Sequence, residues 1–176
     1  MKQPVYPEKE AELLETIGVL LILLQDVERF LSAYIKMCLP GPNGINVKKL
    51  LAEDKRTLSD FIRDIKKRAD LEPEFEVTLS RLLTNRNIFI HSMRFQPWFD
   101  TSSPEGQDSV WRFLAVLQND IKHVLLVIQT ALFTDLNLEA IMTDEEHRQL
   151  DNTWFHQELN HYKTRIDSII KKKPPT

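Results

Sequence analysis

Apolar residues recur at steps of three and four along most of this chain, and that spacing restricts the fold more than any other feature. Such steps place side chains on one face of an α-helix, whereas a half-buried strand would alternate with a period of two, which no segment here does. The first such segment runs from about residue 8 to residue 38. Its apolar face consists of Leu13, Ile17, Leu21, Leu24, Leu31 and Ile35. The sequence therefore predicts a long amphipathic helix in an all-α protein.

Three more helices follow from the same spacing. A short one begins after Thr57, whose spacing to Asp60 is that of a capping box. A third begins at Pro73 and stops before Pro97, because proline suits a first helical turn and cannot continue a helix. A fourth, long helix is marked by Trp111, Leu114, Leu117, Ile121, Leu125, Ile128 and Leu132.

A fifth helix is predicted from near Thr143, where Glu146 repeats the capping-box spacing. Its apolar stripe is thinner and consists of Leu150, Trp154, Tyr162, Ile166 and Ile169. A chain of 176 residues with 42% hydrophobic residues is long enough for one domain with a core. We therefore expect residues 1–176 to form a single-domain helical bundle of three long and two shorter helices, with frayed tails at 1–7 and 171–176.

Charge, cysteine content and apolar run length exclude several classes of protein. A net charge of -3 argues against a protein that coats nucleic acid without specificity, although a local basic groove is compatible with it. The single cysteine, Cys38, excludes an intramolecular disulfide and fits a reducing compartment. The most apolar run, residues 17–24, is far shorter than the roughly 20 residues of a membrane-spanning helix. With no signal-peptide features at the N-terminus, we expect a cytoplasmic protein that does not enter a membrane.

Two charged residues fall where the helical pattern requires apolar ones. With a rotation of about 100° per residue, Arg86 lies near the middle of the apolar face of the third helix. Glu28 lies in the centre of the apolar face of the first helix. An unpaired buried charge is costly, whereas a hydrogen-bonded pair is tolerated. We therefore predict that Glu28 and Arg86 meet in the core or in a cleft between helices. An ion pair that only fixes the register of two helices is the alternative reading.

Asn87 and His91 lie four residues apart at the edge of the face that contains Arg86. The arrangement Arg, Asn, three residues, His in the segment RNIFIH resembles the motif of the HEPN superfamily of helical domains. The helical order of most of the chain is similar as well. The resemblance implies an endoribonuclease that needs no metal or other cofactor, acts on RNA as a homodimer and often belongs to a toxin or antiviral defence system.

The resemblance also implies roles for individual residues. Arg86 and His91 would be the catalytic pair and Asn87 an orienting partner, with Glu28 holding the guanidinium. These types suit the reaction, because histidine accepts and donates protons near neutral pH and a guanidinium fits phosphate oxygens. Arg86 and His91 are about 140° apart on a regular helix. We therefore expect a second histidine, His91 of the partner subunit, to complete the site.

One position departs from the family pattern. Toxins of this superfamily that are paired with a nucleotidyltransferase usually carry a tyrosine two residues after the histidine, where this chain has Met93. That departure puts regulation by modification of such a tyrosine in doubt.

The densest basic region is Arg63 to Arg68, with further lysines and an arginine at positions 48–56. We predict that Arg63, Lys66 and Lys67 contact the RNA backbone together with Arg94, which follows His91. A solvated helix face is the alternative reading of such a charge run.

Three aromatic residues, Phe95, Trp98 and Phe99, follow the motif. They could stack on unpaired bases or pin the loop around Pro97 to the bundle.

No metal site is expected. The two histidines of HQELNH, residues 156–161, are five apart, whereas the zinc motif HExxH places them four apart on one helix face. The second reading of the whole chain is a catalytically inactive helical bundle that binds a partner protein or RNA, as an antitoxin or immunity protein would. A cognate antitoxin or another protein of a defence system is then the expected partner.

Overall fold

The computed structural model describes residues 8–39, 56–141 and 154–174, and they are predominantly helical. This confirms the all-α class. The first four helices are α1 (Glu8–Met37), α2 (Leu58–Arg68), α3 (Pro73–Asn87) and α4 (Pro104–Asp135). Two shorter ones, α5 (Trp154–Lys163) and α6 (Ile166–Ile169), come later in the chain. No helix within the described ranges has an apolar stretch long enough to cross a bilayer.

Local signals explain where these helices begin. The predicted capping box is present at α2, because the Thr57 side chain accepts from the backbone N–H of Asp60 and the Asp60 carboxylate accepts from that of Thr57. At α4 the hydroxyl of Ser103 accepts from the N–H of Gly106 at 3.1 Å. A Cβ at position 106 would lie 2.4 Å from the backbone oxygen of Asp100, so this turn requires glycine.

The core lies where α4 packs against α1 and α3, and α5 and α6 also pack against α4. On α1 the buried face is rotated from the predicted one, since Leu20 and Val27 are buried and Leu21 is exposed. The physical reason is that residues 19–24 are all apolar, so periodicity alone could not choose which of them face inward. As a result, Glu28 lies at the flank of the buried face rather than at its centre.

A two-stranded antiparallel sheet was not predicted. Strand β1 (Ala69–Leu71) follows α2, and β2 (Ile170–Lys172) follows α6, with Ala69 opposite Lys172. The expectation of a frayed tail from residue 171 is therefore wrong for residues 171–173, and the backbone N–H of Lys173 also donates to Arg68 at 2.8 Å. Three-residue strands are too short to show a period, and their pairing depends on contacts distant in sequence.

The fifth predicted helix is only partly described. Its predicted start near Thr143 and Glu146 lies outside the described residues, as do Leu150, the tail at 1–7 and the last two residues. Within the described part, the helix is broken at Thr164 and Arg165, between α5 and α6.

One ion pair joins α3 to α4 inside the bundle. Arg81 Nε lies 2.9 Å from one carboxylate oxygen of Asp120 and 3.1 Å from the other. The side chain of Asp120 is only 2% exposed, whereas that of Arg81 is 51% exposed. The guanidinium of Arg81 thus covers a buried carboxylate. The hydrogen bond to Asp120 raises the pKa of Arg81.

The two partners of this pair are expected to differ in their effect on stability. Arg81→Ala leaves Asp120 charged and buried, which costs about 3 kcal/mol of unfolding free energy. Asp120→Ala costs less, because Arg81 can turn into water. Urea denaturation followed by circular dichroism measures both, with Arg112→Ala on the exposed side of α4 as the control, expected within about 0.5 kcal/mol of wild type. Equal losses for Arg81→Ala and Arg112→Ala would contradict this account.

Candidate active site

The end of α3 is not a regular α-helix. A π-helical turn, Ile88–Ser92, follows α3 directly, and a 3-10 turn, Met93–Phe95, follows the π turn. A π turn is closed by hydrogen bonds between residues five apart, so residues at that spacing lie on the same side of the turn. Such turns are rare in proteins, and those that occur are frequently found at functional sites. The RNIFIH segment therefore has a geometry that a regular helix would not give it.

Arg86, in the last turn of α3, and His91, in the π turn, contact each other within one chain. The distance from Arg86 Nη1 to His91 Nε2 is 3.4 Å. The predicted separation of about 140° assumed a regular helix, whereas His91 lies in the π turn and the ends of the two side chains are in contact. A partner subunit is therefore not needed to bring an arginine close to a histidine, although one chain still supplies only one histidine.

Arg86 also connects α3 to α1. Its Nη2 lies 3.3 Å from Glu28 Oε1, so the predicted contact between the two residues is present. Their side chains are 23% and 28% exposed, respectively, so the pair is partly exposed to solvent rather than enclosed in the core. Arg86 Nη1 also donates to Asn87 Oδ1 at 3.3 Å. The guanidinium thus contacts the other three residues of the predicted site.

The contact with Arg86 favours one tautomer of His91. A guanidinium has only donors, so Nε2 must accept, and the neutral imidazole then carries its proton on Nδ1. At 3.4 Å the contact is long and weak, so little free energy is needed to replace it with a contact to a ligand. His91 and Asn87 are both exposed. An acceptor nitrogen therefore lies beside a fixed positive charge on an open surface.

The aromatic residues after the motif divide into two groups. Trp98 and Phe99 are partly buried against the core, and Trp98 lies 4.8 Å from Phe113 between ring centroids. They pin the loop around Pro97 to the bundle, which was the alternative to stacking on bases. Phe95, in contrast, is 84% exposed. Met93, at the position where related toxins carry tyrosine, is buried.

The predicted basic region lies away from the site and is largely paired with acids. Lys66 contacts Glu76 at 2.7 Å, near the start of α3, which is about 15 Å along the helix axis from Arg86. Arg63 pairs with Asp60 on its own helix. Lys67 is exposed. Arg94 is exposed three residues after His91, whereas Arg63 and Lys66 are paired with acids on α2 and near the start of α3.

Other sites considered from the sequence do not gain support. Burial raises the pKa of the Cys38 thiol to about 12, which keeps it protonated and unreactive. Among the described residues, no three or more His, Cys, Asp or Glu side chains are placed to hold a metal ion. In HQELNH the His161 ring lies 5.5 Å from that of Tyr162, while the side chain of His156 is outside the described part.

Comparisons with known proteins identify no relative of this chain. No family model matches it, no curated protein matches it, and no solved structure resembles it closely enough to count as a match. The chemical interpretation therefore depends on the geometry of the site and on the motif.

Proposed function

We propose that this chain is a metal-independent endoribonuclease of the HEPN type that acts in the cytoplasm as a bacterial toxin or antiviral defence effector. The observation that supports the proposal most is the contact between Arg86 and His91. It places a permanent positive charge and a proton-transfer group close enough together for one phosphate to touch both. The exposure of His91 leaves that position open to a large substrate.

In the proposed reaction, a ribose 2'-oxygen attacks the adjacent phosphorus while His91 Nε2 accepts the 2'-hydroxyl proton. The bond from phosphorus to the 5'-oxygen of the next nucleotide breaks, and that oxygen takes up a proton from an acid. The products are a 2',3'-cyclic phosphate and a 5'-hydroxyl. The oxidation state of phosphorus does not change, so the reaction needs no oxidant or reductant. Arg86 turns towards the non-bridging oxygens and stabilises the charge that develops there. Glu28 keeps the guanidinium at the site.

The proton for the leaving oxygen requires a second group, which we propose is His91 of the partner subunit in a homodimer. A surface for such a dimer is available on α1. Leu14, Leu21 and Ile22 are exposed there, and a Cβ added at Gly18 would meet nothing within 4 Å. Leu14, Leu21 and Glu28 follow one another at intervals of seven residues, which is about two helical turns. The apolar face therefore runs along α1 to Glu28, the residue that is paired with Arg86. Two copies packed along it would bring their sites together.

Cleavage of a single-stranded RNA tests the proposed activity. Wild type is expected to cut it in the presence of EDTA and to leave 2',3'-cyclic phosphate ends, seen by gel electrophoresis and mass spectrometry. His91→Ala should lose about 100-fold or more of the rate, because general acid and base catalysis typically contributes that much. Arg86→Gln should lose at least about 100-fold through lost charge stabilisation.

The matched control is His161→Ala, which removes an exposed histidine from α5 and is expected to leave the rate unchanged. All these side chains are at least partly exposed, so thermal unfolding should show that each variant stays folded. Absence of cleavage by wild type, or equal rates for wild type and His91→Ala, would contradict the proposed reaction.

The proposed dimer surface is tested by Ile22→Glu. A charge at the centre of an apolar interface prevents burial, so the variant should run as a monomer by size-exclusion chromatography with light scattering, whereas wild type runs as a dimer. Cleavage should fall at least about 10-fold with it, since the second histidine is lost. Val116→Glu, an exposed apolar position on α4, is the control and should stay dimeric. A monomeric wild type with full activity would refute the dimer.

A second function is favoured by a different observation. Glu28 already neutralises Arg86, which lowers its attraction for phosphate and fits an ion pair that fixes α1 against α3. On this reading the chain is an inactive module that binds RNA or a partner protein, as an antitoxin or immunity protein does. Binding of RNA without cleavage, at equal strength in wild type and His91→Ala, would favour it over the enzyme.

A further inference from the structure

Phe95 has the highest exposure, 84%, among the exposed large apolar side chains of the described residues. Leaving a phenylalanine in water forgoes the free energy that burying its ring would give. Single exposed apolar residues are common, so exposure alone does not indicate a site. What distinguishes Phe95 is its position four residues after His91, together with the way the backbone holds it.

The outward direction of Phe95 is built into the local structure. Its 3-10 turn has about three residues per turn, so Met93 and Phe95 point to different sides, and Met93 is the one that is buried. The end of the turn is closed by Gln96, whose backbone N–H donates to Met93 at 3.2 Å. The Gln96 side-chain amide also donates to the hydroxyl of Ser92 at 3.2 Å. Phe95 is therefore presented by an ordered turn.

The stretch of sequence that contains Phe95 carries basic residues and no acidic ones. The stretch from residue 77 to residue 99 contains three arginines and no aspartate or glutamate, in a chain whose net charge is -3. Of those arginines, Arg81 is paired with Asp120 and Arg86 with Glu28. Arg94 is exposed beside Phe95. The local charge thus suits a polyanion better than the rest of the chain does.

We propose that Phe95 stacks on an unpaired base of single-stranded RNA, next to the phosphate held at Arg86 and His91, with Arg94 contacting the backbone. The inference rests on the proposed function and adds its substrate class. A base has an apolar face and is attached to phosphate, which matches an exposed ring beside a cation. In a duplex both faces of each base are already stacked, so this surface selects single strands and loops.

A protein partner fits this surface less well. Stable protein interfaces bury about 800 Å² on each side. Among the described residues of the stretch 77–99, the further exposed large apolar side chains are Ile90 and Val77, and Val77 lies near the start of α3. One ring with one exposed cationic neighbour, Arg94, is too small for such an interface but large enough for one base.

Binding of fluorescein-labelled RNA measured by anisotropy tests the inference. All variants carry His91→Ala, which prevents cleavage during the measurement. Phe95→Ala should weaken binding of a single-stranded 12-mer about 10-fold, because stacking on an aromatic ring is usually worth that much or more. Phe95→Trp should keep full affinity. A blunt duplex of the same length should bind weakly and equally to all three proteins.

Two controls separate stacking from other effects. Val116→Ala removes a different exposed apolar side chain and should leave affinity unchanged. Arg94→Gln should reduce the slope of log affinity against log salt by about one, while Phe95→Ala should leave that slope unchanged. This difference distinguishes a ring that stacks on a base from a residue that contacts phosphate.

The outcomes distinguish this inference from the proposed function. If wild type cleaves RNA but Phe95→Ala binds single strands as well as the parent protein does, the stacking role is refuted and the enzyme stands. If no variant binds RNA and wild type does not cleave it, both proposals fail together. If Phe95→Ala changes the oligomeric state in light scattering, Phe95 belongs to a protein interface and the inference is overturned.

Discussion

Arg86 makes the interaction on which the rest of the site depends. Its guanidinium extends from the end of α3 to Glu28 on α1, and it also reaches His91 across the π turn. The contact with His91 spans the start of the π turn, whereas in a regular helix the two residues would be about 140° apart. A local departure from helical geometry thus converts three residues that are separate in the pattern into one connected group.

The bundle supplies the rigidity that such a group needs. α4 packs between the other long helices, and Asp120 on it holds Arg81 of α3 about one turn before Arg86. Because Arg81 and Arg86 lie on one helix, the buried carboxylate that fixes the first also limits how far the second can move. The site itself remains partly exposed and joined by long hydrogen bonds, so a substrate can replace those contacts at low cost.

Much of this structure follows from the sequence, and the failures have identifiable causes. The helix at Thr57 was predictable from its cap. The contact of Glu28 with Arg86 was predictable from two opposite charges on predicted apolar faces, although Glu28 lies at the flank of the observed one. The buried face of α1 was not predictable, because residues 19–24 are all apolar and periodicity cannot decide which of them face the core. The π turn was missed because five-residue spacing has no local signal in IFIHS. The β1–β2 pair depends on contacts between distant segments. The exposure of Phe95 was likewise not readable from composition.

The central claim is that one chain places the guanidinium of Arg86 against Nε2 of His91. A long-range 1H–15N correlation spectrum of protein labelled at histidine tests it most directly, since it reports which ring nitrogen carries the proton. With His91 neutral, the account predicts a proton on Nδ1 and none on Nε2, and a change in the Nε2 signal in Arg86→Gln. A neutral ring protonated on Nε2, with no response to loss of Arg86, would contradict it.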